Sequence, residues 1–136
     1  MPNKTLATEW LVKAYHDLSS ARILYDANHY TDTIGFDLQQ AIEKSLKAFL
    51  AYENKQIKRT HDLVEIYELV TGHIQLEDSQ IDFLDMATNY YAEDRYPAHH
   101  LALPQREEIK DVLTFTETLF SMVCHILGID EHDVRK

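Results

Sequence analysis

TDTIGFDLQQAIEKSLKAFLAYE, residues 31–53, is the stretch from which the fold of this chain is read. Ile34, Leu38, Ala41, Ile42, Ser45, Phe49 and Tyr52 recur at steps of three and four, the spacing that lays side chains along one stripe of an α-helix. Gly35 stands inside that stretch, where glycine costs about 1 kcal/mol relative to alanine. A glycine kept there implies the close approach of a neighbouring helix. Working outward, the same period runs through residues 8–28, on Leu11, Ala14, Leu18, Ala21, Leu24 and Tyr25. A short helix is expected after Thr60, with Leu63, Ile66, Leu69 and Val70 inward and Gly72 as its stop. Ser79 with Asp82 reads as the next helix start, followed by Ile81, Leu84, Ala87 and Tyr91. Pro104 suits the first turn of the last helix, whose stripe is Ile109, Val112, Thr116, Leu119, Val123 and Ile126, with Gly128 ending it.

Three glycines and three prolines in 136 residues are about 4% of the chain, against roughly 12% in average usage. Sandwiches and barrels spend such residues at every turn, so the expectation is one all-α domain over 1–136, with its core in about 8–128 and a solvated tail at 131–136. The net charge of −10 repels a phosphate backbone at long range and argues against sequence-independent wrapping of duplex DNA. The charge is uneven. Lys44, Lys47, Lys55, Lys58 and Arg59 face only Glu53 between residues 44 and 61, whereas residues 62–94 carry nine acidic side chains and no Lys or Arg. That acidic stretch reads as a solvated helix pair or as a face for a basic partner. Cys124 is the single cysteine and reads as a core filler. No apolar run reaches the ~20 residues of a membrane span and no signal-type leader opens the chain, so a cytoplasmic location without membrane is expected.

Eight histidines raise a metal site, yet none pair at i,i+4 and there is no H-E-x-x-H frame. His61-Asp62 is a dipeptide of metal phosphohydrolases, but an aspartate at a helix start also favours the helix dipole. No metal and no cofactor are expected. The isolated glycines exclude a phosphate-cradling loop. The chemically informative run is Tyr90-Tyr91-Ala92-Glu93-Asp94-Arg95-Tyr96-Pro97-Ala98-His99-His100. An arginine holds phosphate through parallel hydrogen bonds, and a histidine moves protons near neutral pH. Together Arg95 and His100 are the minimum for cutting RNA without a metal, the histidine activating the ribose hydroxyl and the arginine stabilising charge on phosphorus. The spacing alone decides nothing, since Arg22 and His29 meet it as well.

From about Trp10 to Leu127 the chain resembles the HEPN domain family. The resemblance is carried by Ala14-x-x-Asp17-Leu18-x-x-Ala21, by Phe36-x-x-Gln39-Gln40-Ala41-x-Glu43-Lys44-x-x-Lys47-Ala48, by Thr60-His61-Asp62-Leu63, and by Tyr91 with Arg95-Tyr96-Pro97. It implies an up-and-down antiparallel bundle of four to five helices that commonly dimerises. Many relatives are ribonucleases whose R-x(4–6)-H motif, supplied by both protomers, makes one composite site. Others pair with a minimal nucleotidyltransferase in toxin–antitoxin fashion. This chain carries the R-Y-P variant: Tyr96 stands where the nuclease branch has a polar residue, and Ala102 stands where silenced toxins carry a tyrosine.

Two functions follow. The first is a homodimeric nucleotide- or RNA-associated module acting with a minimal nucleotidyltransferase. The second is a metal-independent endoribonuclease with Arg95 and His100 as its catalytic pair at the dimer cleft. Gln40, Lys44, Lys47, Tyr91, Tyr96 and His99 are the candidate nucleotide- or partner-binding residues. The polar helix face of Gln39, Gln40, Glu43, Lys44 and Lys47 reads first as a hydrogen-bonded, partly buried face that defines the fold, ahead of a nucleotide- or partner-binding role. Tyr90, Tyr91 and Tyr96 read first as packing or dimer-interface aromatics, ahead of stacking platforms for bases.

Overall fold

The helical period becomes six helices in the computed structural model, which describes residues 1–57, 59–91 and 103–136. They are α1 (Lys4–Asp26), α2 (Thr31–Tyr52), α3 (Leu63–Glu68), α4 (Asp78–Thr88), α5 (Arg106–Leu127) and α6 (Glu131–Val134). No strand occurs among the described residues. α1 begins earlier than its apolar stripe implies because Asn3 caps it, its side chain accepting from the Leu6 N–H at 3.0 Å. α1 and α2 are antiparallel: the Asn3 N–H donates to the Tyr52 carbonyl, so the start of one lies at the end of the other. α5 packs along both, antiparallel to α1 and parallel to α2. Arg106 near its start donates to the carbonyl of Tyr25, and Gly128 at its end approaches the Lys4 ammonium. α3 and α4 pack against each other and lean on α2.

The scarcity of glycine is met by asparagine. Each of the three long helices closes with the same pair of hydrogen bonds, 6→1 and 5→2, around a left-handed residue. That residue is Asn28 (φ 57°) after α1, Asn54 (φ 56°) after α2 and Gly128 (φ 66°) after α5. Asparagine tolerates this conformation better than other side chains, so only one of the three ends needs a glycine.

Several boundaries differ from those expected. α3 stops at Glu68, which leaves Leu69 on the surface, and Gly72 lies beyond it in a turn. α4 starts one residue before Ser79, with the Gln80 side chain accepting from the Glu77 N–H in place of a serine cap. Pro104 precedes the first helical residue of α5, Arg106, and Ile126 is exposed instead of completing the stripe. Gly35 meets a tyrosine ring and not a neighbouring helix: a Cβ there would lie 3.0 Å from Cγ of Tyr90 in the turn after α4.

The end of the chain is not a solvated tail. Residues 129–136 fold back on α1, where α6 buries Val134 completely and His16 Nε2 lies 3.0 Å from the Lys136 carbonyl. Arg135 lies over the ring of Tyr15, and Ser121 donates to Glu131. A four-residue helix with a single apolar side chain gives no periodic signal, so that anchor is silent in sequence. Val134→Ala removes two buried methyl groups and should lower stability by about 2 kcal/mol. Urea unfolding checks this, and an unchanged midpoint would mean that α6 is not docked.

Candidate functional site

Gln39, Glu43 and Lys47 follow each other at i,i+4 and form a polar ladder on a helix that is otherwise apolar on that side. All three are buried. Glu43 is the hub. Its Oε1 accepts from Gln39 Nε2 at 3.0 Å and faces His61 Nδ1 at 2.8 Å, and its Oε2 accepts from Lys47 Nζ at 2.9 Å. Gln39 Nε2 also donates to the His61 carbonyl at 3.0 Å, and Gln40 Nε2 donates to Gln39 Oε1 at 2.7 Å. Every buried side-chain polar atom among the described residues finds a partner. Burial alone would push the Glu43 carboxyl up; the hydrogen bonds from Lys47, His61 and Gln39 outweigh it and hold the group below the ordinary glutamate range.

His61 stands just ahead of α3, and Asp62 fixes that position. The Asp62 carboxylate caps the helix, accepting from the Val64 N–H at 3.1 Å and the Glu65 N–H at 3.2 Å. The Leu63 N–H donates to Thr88 Oγ1, tying the start of α3 to the end of α4. This brings the Tyr91 ring over the His61 imidazole, 3.7 Å between centroids and 16° from parallel, with Phe36 of α2 on at 6.1 Å from Tyr91. Tyr91 is the last described residue before the stretch that carries Arg95, Tyr96, His99 and His100. Those four candidates lie outside the described residues.

Of the other candidates, Lys47 and Gln40 belong to the Glu43 network and Tyr91 stacks on its histidine. Lys44 points elsewhere, to Asp17 of α1 at 2.6 Å across the seam between the two helices. Glu43 and His61 were absent from the sequence-derived set of candidates. Glu43 stood in the i,i+4 ladder and both residues stood in the quoted family motifs, but none of these signals pairs the carboxylate with the histidine. Among the described residues, no three His, Cys, Asp or Glu side chains gather as a metal site. Cys124 is buried in the core, which pushes its thiol up to about 12, with Glu131 adding to the rise. It is no nucleophile at neutral pH. No helix among the described residues is long and apolar enough to cross a membrane.

The HEPN domain model matches residues 7–127. The chain belongs to the HEPN domain family. This HEPN domain is 34% identical over 77 residues to a protein of Methanocaldococcus jannaschii named “Putative toxin MJ1304”. That match spans 57% of this chain and about half, 49%, of the relative's length. In structure it is similar to TT1696 from Thermus thermophilus, with a TM-score of 0.75 and 23% identity over 88% of this chain and 97% of that one. It is also similar to ST0689, an archaeal HEPN homologue, with a TM-score of 0.66 and 18% identity over 89% and 97% of the two chains. The last two likenesses establish the fold.

Proposed function

We propose that this HEPN domain is the nucleotide- or RNA-binding component of a toxin–antitoxin-type pair, a homodimer acting beside a minimal nucleotidyltransferase. The observation that carries the reading is the Glu43–His61–Tyr91 cluster, an oriented imidazole and an aromatic ring at the root of the stretch that bears Arg95 and His100. The likeness to a protein named as a toxin supports the pairing. In this reading Arg95 binds phosphate, Gln40, Tyr91, Tyr96 and His99 contribute to the ligand or partner surface, and the buried Lys47 supports it from behind by holding Glu43.

Sedimentation at micromolar concentration should give a dimer. Titration with AMP and with a short single-stranded RNA should show binding to at least one of them. Arg95→Ala should weaken that binding about ten- to a hundredfold, the loss of one charge-assisted contact. Co-expression with the minimal nucleotidyltransferase should give a complex that survives size exclusion. A monomer, or a wild-type protein that binds neither ligand, overturns the reading.

The spacing of Arg95 and His100, directly beyond Tyr91, supports a second reading, metal-independent endoribonuclease. It requires RNA cleavage in EDTA that His100→Ala abolishes while the helical circular dichroism is unchanged. Unchanged cleavage in that variant rejects the assignment.

A further inference from the structure

His61 is held at three points, and nothing among the described residues meets it at a fourth. Its carbonyl accepts from Gln39, its Nδ1 lies on Glu43 Oε1, and one face of its ring lies on Tyr91. An ionised carboxylate only accepts hydrogen bonds, so Nδ1 is the nitrogen that carries the proton. The neutral ring therefore keeps a lone pair on Nε2. That atom has no hydrogen-bond partner among the described residues, and the side chain is 43% exposed although Glu43 beneath it is only 7% exposed. A histidine that served only to fasten residues 53–62 to α2 would need nothing beyond Nδ1. The tautomer restricts the ligand group: a bare acceptor pairs with a donor, such as a hydroxyl, and not with an ionised phosphate, whose oxygens also accept. A cation suited to a phosphate stands close by in sequence on the exposed Arg59, within a stretch where basic side chains outnumber acidic ones; the nearby Lys55 already pairs with Glu53 at 2.6 Å.

We propose that His61 Nε2 accepts a hydrogen bond from the ribose 2′-hydroxyl of the bound ligand, so that this cluster distinguishes ribonucleotides from deoxyribonucleotides. The proposal rests on the nucleotide- or RNA-binding reading and names the group that reading lacks. The 2′-hydroxyl is the atom by which a protein tells RNA from DNA at a given position. A free nucleotide and an RNA strand both present it. Glu43 is a positioning residue here: it sets which nitrogen is bare, and Tyr91 sets the plane of the ring.

The test compares AMP with 2′-deoxyAMP, and a short single-stranded RNA with DNA of the same sequence, by titration at a slightly alkaline pH. The wild type should prefer the ribose form about tenfold, the worth of one hydrogen bond in a partly buried site. The pair that shows the preference identifies the source of the hydroxyl. His61→Asn keeps an amide donor for Glu43 near the place of Nδ1 and removes Nε2, so the preference should vanish. His61→Gln returns an amide oxygen near the place of Nε2 and should retain part of it. In protein labelled with 15N-histidine, the signal missing from His61→Gln should shift on addition of the ribose ligand and stay in place with the deoxy ligand. This readout needs no stable Asn variant. A preference that persists in His61→Asn, or a His61 signal that does not move, overturns the proposal. A wild type that binds ribose and deoxyribose forms equally overturns it and leaves the nucleotide-binding reading standing, whereas a wild type that binds none of the four overturns both.

Discussion

Glu43→Ala is expected to cost about 3–5 kcal/mol of folding stability, the penalty for leaving one member of a buried ion pair without its partner. The substitution strands the Lys47 ammonium, itself buried, and removes the acceptor of both Gln39 and His61. Urea unfolding should show a lowered midpoint at unchanged slope. The attraction between the charges contributes less than this figure suggests, because desolvating two ions offsets much of it. Lys47→Met in the Glu43→Ala background should therefore recover a large part of the loss. A Glu43→Ala protein within about 1 kcal/mol of wild type would mean that Lys47 escapes to solvent.

The same carboxylate sets an acid limit. Burial works against its ionisation, but the hydrogen bonds from Lys47, His61 and Gln39 prevail, so its folded value lies below the unfolded 4.5. As pH falls, the unfolded chain takes up this proton first. The contribution of Glu43 is complete above about pH 4.5 and disappears as pH drops through the folded value. Glu43→Gln should flatten this part of the stability–pH curve.

Gly35→Leu is expected to destabilise by about 3 kcal/mol or more, as overpacking does in a core that cannot move aside. A Cβ at Gly35 would lie 3.0 Å from Cγ, 3.2 Å from Cδ2 and 3.3 Å from Cβ of Tyr90, the root of the side chain and not its flexible end. Tyr90 is buried and its hydroxyl donates to Glu108 of α5, so the ring is held at both ends. Gly35→Ala separates sterics from helix propensity. Propensity favours alanine by about 1 kcal/mol, yet the contact should make the variant less stable than wild type. In a Tyr90→Ala background the obstruction is gone, and Gly35→Ala should become stabilising. A double-mutant cycle measures this reversal; the same sign in both backgrounds would remove Tyr90 as the reason for the glycine.

The helices were largely legible because amphipathic periodicity is a local property. Leu38, Ile42 and Phe49 announce the buried side of α2 whatever packs on it, and all three are buried. The glycine stop after α5 was legible for the same reason. Ends formed by asparagine were not, because Asn28 and Asn54 are equally at home in polar loops. Leu69 and Ile126 misled because periodicity marks a side of a helix but not where the neighbouring layer ends. In the candidate site, Lys47 and Tyr91 carried their own signals. The partnership of Glu43 and His61 did not, because 18 residues separate them and no spacing rule spans a turn of that kind.

Taken by itself, the sequence determined that the chain is helical, roughly where its helices run, and which family pattern they carry. Each follows from side chains repeating at the 3.6-residue period and from motifs read in order. Tertiary structure alone decided how the polar ladder of α2 is satisfied, which histidine tops it, that Tyr90 occupies the space left by Gly35, and that the last residues dock on α1. These are contacts between groups far apart in the chain. Their energies depend on distance and on exclusion of water, which exist only once the helices have packed.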